Sequence, residues 1–233
     1  MKKKDFLLLL AIVFAAANLR APITAVGPLV ASMAESFPFQ SSVFGLLTTI
    51  PLIMFALFAP VSSRMSRRFG AGITMIASLF IAGLGIVLRS YAGVAGLFIG
   101  TVMLGSGIAF GNVLIPGIIK ARFPQRVETV TSVFTISMSA FAATSSAVSY
   151  PLSQITGFGW RNSLAVWLLL LILALVVWWP QRNLIICDAY VDAPVKQERP
   201  VYRSPLAWWL TLLMGAQSCL FYFFTAWLPT ILQ

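Results

Sequence analysis

The chain has 233 residues, of which 59% are hydrophobic and 9% charged, with a formal net charge of +10 and no histidine. Soluble domains carry about 25% charged residues, so this composition excludes an ordinary soluble fold. A mean hydropathy of +0.92 points to a membrane protein.

The apolar residues fall in long blocks, approximately 6–33, 43–62, 72–88, 94–119, 129–152, 164–179 and 206–233. Each is near the ~20 residues that cross a bilayer as a helix. The blocks are continuous rather than alternating over about ten residues, which excludes barrel strands. The predicted fold class is therefore an all-α polytopic membrane protein with seven spans. Residues 1–179 form a six-helix bundle in this reading, 180–205 a solvated linker carrying Asp188, Asp192 and Glu198, and 206–233 a seventh helix. Lys2, Lys3 and Lys4 ahead of Phe6 to Ala17 have the form of a secretory signal. Apolar character resumes past Arg20 through Val30 with no polar mature domain behind it, so a retained helix is expected.

The first span contains "AANLRAPITAV", Ala16 to Val26, with Arg20 at its centre. An Arg at mid-helix costs about 2.5–3.5 kcal/mol on insertion scales, so it must face protein or water. It lies about 21 Å along a helix from Phe6, too deep for easy snorkelling. At about 100° per residue it shares a stripe with Ala16, Ala17, Thr24, Gly27 and Ala31, small residues that let a helix or a ligand come close. Asp5 and Glu35 bracket this span and Glu128 opens the fifth. The anion that Arg20 requires is then either a diffusible substrate or an acidic residue beyond the present sequence.

Spans one and four share Asn-x-x-x-Pro, as Asn18 to Pro22 and Asn112 to Pro116. Proline has no N–H and orphans the carbonyl four residues back, which belongs to the Asn in both cases. Interrupted helices in corresponding repeats point to a transport site, while a kink satisfied by a neighbouring Ser or Thr is an equal reading. Arg20, Asn18, Thr24 and Asn112 are thus the candidate substrate contacts, with Pro22 and Pro116 the candidate helix breaks. Gly96, Gly100, Gly107 and Gly111, and the Ala, Ser and Thr residues of span five, read as close helix contacts. Trp178, Trp179, Trp208 and Trp209 read as an aromatic belt.

Lys and Arg residues are retained on the cytoplasmic side in short loops. Lys2, Lys3, Lys4, Arg64, Arg67, Arg68, Lys120, Arg122, Arg126, Arg182, Lys196, Arg199 and Arg203 occupy alternate connections, thirteen on one side, against Arg89 and Arg161 on the other. A cytoplasmic N-terminus and linker follow. The basic balance reflects topology and anionic lipid headgroups, and no nucleic-acid partner is expected. Cys187 and Cys219 predict neither a disulfide nor a metal site.

"SRMSRRFGAG", Ser63 to Gly72, resembles the signature between helices two and three of the major facilitator superfamily. Arg68 and Gly70 match it, and the match implies a gating role for them; Ser63 replaces the first glycine and Arg67 stands where an acid is usual. "GFGWR", Gly157 to Arg161, is a further facilitator feature. "GNVLIPGIIKARFP", Gly111 to Pro124, with "NLRAP", "RRFG", "SPLAW" and "WLPTIL", is similar to the cyanate and 2-nitroimidazole transporter family of that superfamily. The resemblance implies a bacterial inner-membrane carrier of a small polar or anionic compound, a drug exporter in some members. It also implies three-plus-three inverted repeats in the first six helices and a usual total of twelve. This chain is then the N-terminal half plus the first helix of the second, and its partner is a missing C-terminal half or a second copy.

An intramembrane enzyme would need a base, a nucleophile pair or metal ligands, and no acid or His lies within a span, so a non-enzyme without cofactors is expected. A channel would need a repeated charge ring or carbonyl filter. The carrier reading is expected to hold, against a transport-inactive membrane subunit or assembly partner as the alternative.

Overall fold

The computed structural model describes residues 3–36, 41–183 and 204–231. The chain divides into two compact units, Met1–Ile186 and Cys187–Gln233. The first contains α1 (Lys3–Thr24), α2 (Val30–Ser36), α3 (Ser41–Phe69), α4 (Ala71–Tyr91), α5 (Gly93–Arg122), α6 (Val127–Ser153), α7 (Gly159–Ala165) and α8 (Trp167–Trp178). The second contains α9 (Pro205–Ile231). There is no strand among the described residues. Most of the expected linker, 184–203, lies outside them.

Five segments among the described residues are long and apolar enough to cross a membrane: Asp5–Ser36, Gly45–Phe69, Ala71–Tyr91, Gly93–Arg122 and Gly159–Gln181. The expected fifth span, α6, has the length, 27 residues or about 40 Å, but its many Ser and Thr residues dilute its apolarity. The expected seventh, α9, is also 27 residues long.

α1 is the inner helix of the first unit, packed on α6, α8 and α5. Ala11, Ala15, Ala16, Ala17 and Ala21 are all fully buried along it. Small residues around the circumference let three neighbours close in, and a helix apolar on every side belongs inside. α4 and α5 approach more closely still: a Cβ on Gly85 would lie 2.6 Å from the Gly100 carbonyl, and one on Gly107 would lie 2.5 Å from that of Ser78. At Gly100 and Gly107 the glycine stripe of span four is a backbone-to-backbone contact with α4. On the opposite side of α4, Ile73, Phe80, Leu84 and Val87 are exposed, the apolar surface a bilayer requires.

The span-one interruption does not fall where the sequence placed it. α1 continues through Pro22 to Thr24, and α5 continues through Pro116 to Arg122. The break lies beyond Thr24, where Gly27–Leu29 forms a 3-10 turn before α2. Pro28 removes the N–H that Thr24's carbonyl would accept, and Gly27 beside it has the weakest helix propensity after proline. One proline among good helix formers is tolerated; a Gly-Pro pair is not.

At the end of the bundle that carries Arg67 and Arg68, the Trp178 indole donates to the Gly72 carbonyl at 3.3 Å. A Cβ on Gly72 would overlap the carbonyl oxygens of Gln181 and Arg182, so the 3-10 turn that follows α8 is seated on the first turn of α4. Backbone cannot swing aside as a side chain can. Gly72→Ala is therefore expected to destabilise the detergent-solubilised chain by about 1–3 kcal/mol. Gly45→Ala, where the added Cβ meets open space, is expected to be neutral or stabilising by up to about 1 kcal/mol. Thermal unfolding of the two variants checks this contrast; equal midpoints would remove Gly72 from the packing argument.

Candidate functional site

α1 and α5 meet where Leu19 fills the space a side chain on Gly111 would take, its Cδ2 lying 2.5 Å from the position of that Cβ. As first and fourth spans, the two helices run in opposite directions. On right-handed helices in antiparallel contact, the residue after each contact residue turns about 100° to the same flank. Those residues are Arg20 and Asn112. Both are half-buried, at a depth where neither helix has reached an end.

Asn18 precedes the contact and turns the other way. It is 2% exposed, and its amide nitrogen donates to the carbonyls of Phe14 (2.8 Å) and Leu170 (3.2 Å). Both neighbours are acceptors, so the amide orientation is fixed by them. Asn18 is a strut between α1 and α8, with Oδ1 buried and unmet among the described residues. This corrects its expected role as a substrate contact.

Thr24 is 2% exposed and sits against α6. Its hydroxyl lies 3.1 Å from the Arg20 carbonyl, 3.4 Å from that of Ala21 and 2.5 Å from Ser145 Oγ. The stripe it shares with Arg20 is covered by α6 at this level, so Thr24 holds two helices together and does not face a solute. Ser145 and Ser149 extend the connection: the Ser149 hydroxyl donates to the Ser145 carbonyl at 2.6 Å, and that of Ser163 on α7 to the Ser149 carbonyl at 2.7 Å. The sequence reading treated these serines only as smooth packing.

Arg68 is exposed, with its guanidinium carbon 5.3 Å from the Phe69 ring centroid. Gly70 has φ 86° and precedes the first residue of α4. Its N–H donates to the Ser66 carbonyl at 2.9 Å, and its own carbonyl accepts the Thr74 N–H at 3.1 Å and the Thr74 hydroxyl at 2.7 Å. A positive φ at a two-helix corner is the reason for glycine there. At the same end of the bundle a cleft of about 530 Å³ is lined by Asp5, Arg122, Arg126 and Thr129 among others. It lies about 22 Å along α1 from Arg20 and is a separate feature.

Arg89 is the residue that sequence reasoning missed. It was counted with Arg161 as a loop charge, yet it is 2% exposed. The signal was its period: it follows Ala82 and Gly85, which are buried, rather than Phe80, Leu84 and Val87, which are exposed.

The model of the major facilitator superfamily matches residues 7–233. The chain is 38% identical over 232 residues to the uncharacterized transporter YycB of Bacillus subtilis (strain 168), covering 100% of this chain and 57% of the relative. It is 37% identical over 230 residues to the 2-nitroimidazole transporter of Escherichia coli (strain K12), covering 99% and 58%. The cyanate transport protein CynX of the same organism is 27% identical over 225 residues, covering 95% and 57%. The chain thus spans little more than half the length of these curated relatives. The chain belongs to the major facilitator superfamily, and within it resembles the cyanate and 2-nitroimidazole transporter family.

Proposed function

We propose that this chain is the solute-binding N-terminal part of a secondary transporter for a small polar or anionic compound, cyanate- or nitroimidazole-like. The observation that carries the proposal is the Leu19–Gly111 contact of α1 and α5, from which helical geometry turns Arg20 and Asn112 to one flank. A guanidinium offers fixed positive charge with directional donors, and a half-buried amide on the same flank supplies a neutral donor and acceptor. Together they suit a small solute with negative charge on oxygen or nitrogen. α1 and α5 are equivalent spans of two three-helix repeats in this reading, and midplane sites form at such interfaces.

The outer surface of α6 supports a second bundle as partner. Thr131, Ser132, Thr135, Ser139 and Thr144 are exposed on it, interspersed with Ile136 and Val148. Such a surface suits water or another helix better than lipid tails. The partner is a further six-helix half, in one chain or as a second copy, and alternating access proceeds by rocking of the two around the shared site. The setting is a bacterial inner membrane with the N-terminus cytoplasmic.

Thermal shift with sodium cyanate and with 2-nitroimidazole, on the detergent-purified chain, tests the site. Wild type is expected to be stabilised by at least one of the two. Arg20→Ala is expected to weaken that response by roughly ten- to a hundred-fold in concentration, the size of a lost hydrogen bond to charge. Arg20→Lys should keep a weak response with altered preference, because a point charge replaces a planar fork. Asn112→Ala should cost less than Arg20→Ala. Equal responses in wild type and Arg20→Ala would remove Arg20 from the site, and no response to either compound would favour a transport-inactive subunit.

Reporter fusions test the orientation. Those after Arg68, Arg126 and Arg199 are expected to read cytoplasmic, and those after Phe37 and Ser90 external. A reversed pattern would overturn the orientation, and a mixed one the number of spans.

A further inference from the structure

Arg89 lies in the last turn of α4, at the end of the bundle away from Arg67 and Arg68. It is 2% exposed, and its Nε and Nη2 are buried with no acceptor among the described residues. Its root is clasped by α5: a Cβ on Gly100 would lie 2.5 Å from the Arg89 nitrogen and 2.8 Å from the Arg89 Cβ. Glycine there leaves α5 only backbone to present at this level. The negative end of the α4 dipole offsets part of the charge without supplying hydrogen bonds.

Nε and Nη2 form one edge of the guanidinium, with two N–H groups pointing in parallel. That edge matches two oxygens of one planar anion, the strongest and most directional pairing Arg makes. A buried charge is retained where something meets it. We propose that Arg89 is an anion-docking position, separate from Arg20, that takes a planar oxyanion of the carboxylate or nitrate class on its Nε/Nη2 edge. In the orientation proposed above it lies buried at the external end of the bundle. The oxyanion has two possible sources: a diffusible anion, or the Glu35 carboxylate, which is exposed on α2 at the same end of the bundle.

The test uses the full 233-residue chain in detergent, with sodium formate replacing sodium chloride at fixed ionic strength and thermal unfolding as the readout. For a diffusible oxyanion, formate raises the midpoint of wild type, Glu35→Gln and Arg20→Ala in a saturable way, the response is lost in Arg89→Gln, and Arg89→Lys needs at least ten-fold more formate. For a Glu35 source, wild type does not respond, Glu35→Gln lowers the midpoint as much as Arg89→Gln, the double variant is no worse than either, and formate restores Glu35→Gln. A response of the same size in wild type and Arg89→Gln overturns the proposal. So does the absence of any response in both wild type and Glu35→Gln. If Arg89→Gln does not fold, the comparison with Arg89→Lys decides: identical formate dependence in it and in wild type overturns the docking role. Retention of the response in Arg20→Ala separates this site from the one in the preceding section, so either can fail alone.

Discussion

In hydrocarbon, every polar group has to be met by protein or by enclosed water, and in this molecule that requirement falls hardest on α1. The helix carries Arg20, the Asn18 amide, the Thr24 hydroxyl and a proline that orphans a carbonyl, all within two turns. Such a segment cannot face lipid. Its alanines solve the problem by allowing α6, α8 and α5 to close around it. The polar groups are then divided by direction: Asn18 meets a carbonyl of α8, Thr24 meets a hydroxyl of α6, and Arg20 turns to the flank it shares with Asn112. The placing of α5, α6 and α8 around α1 follows from serving these three directions.

Much of the fold was legible because membrane burial leaves a coarse signal. A run of about twenty apolar residues is read without knowing its neighbours. α6 was legible in length and less so in character, since a helix with an exposed Ser and Thr surface departs from the rule that outward means apolar. The break in span one was misplaced by relying on proline alone. Pro22 follows Ala21 in a strongly helical stretch, whereas Pro28 follows Gly27, and the combined loss of propensity and donor ends the helix there.

The site was legible in part, for a related reason. Depth alone singled out Arg20, since few effects place an Arg there. Its relation to Asn112 needed the Leu19–Gly111 contact, which no periodicity contains. Thr24 lies on Arg20's stripe by helical period yet is covered by α6, because a period states which residues share a face and not which helix lies against it. Arg89 was hidden by its position two residues from the end of α4: a charge near a loop resembles a topology signal, and only the burial of that face separates the two.

The contacts inside the first unit also differ in stiffness, and that bears on how a transporter of this architecture would move. Where glycine backbones touch, as at Gly85 and Gly100 or Gly107 and Ser78, any relative shift of α4 and α5 produces an immediate overlap of main-chain atoms. Between α1, α6 and α7 the links are the Thr24–Ser145 hydroxyl pair and the Ser163 hydroxyl on the Ser149 carbonyl, each worth about 0.6 kcal/mol in a membrane and able to rotate to a new acceptor. Under the proposed function, a bundle stiff on one side and adjustable on the other would transmit rocking as a body while letting α1 settle around a solute. The 3-10 turn at Gly27–Leu29 lies on the adjustable side, between the depth of Arg20 and the short helix that carries Glu35.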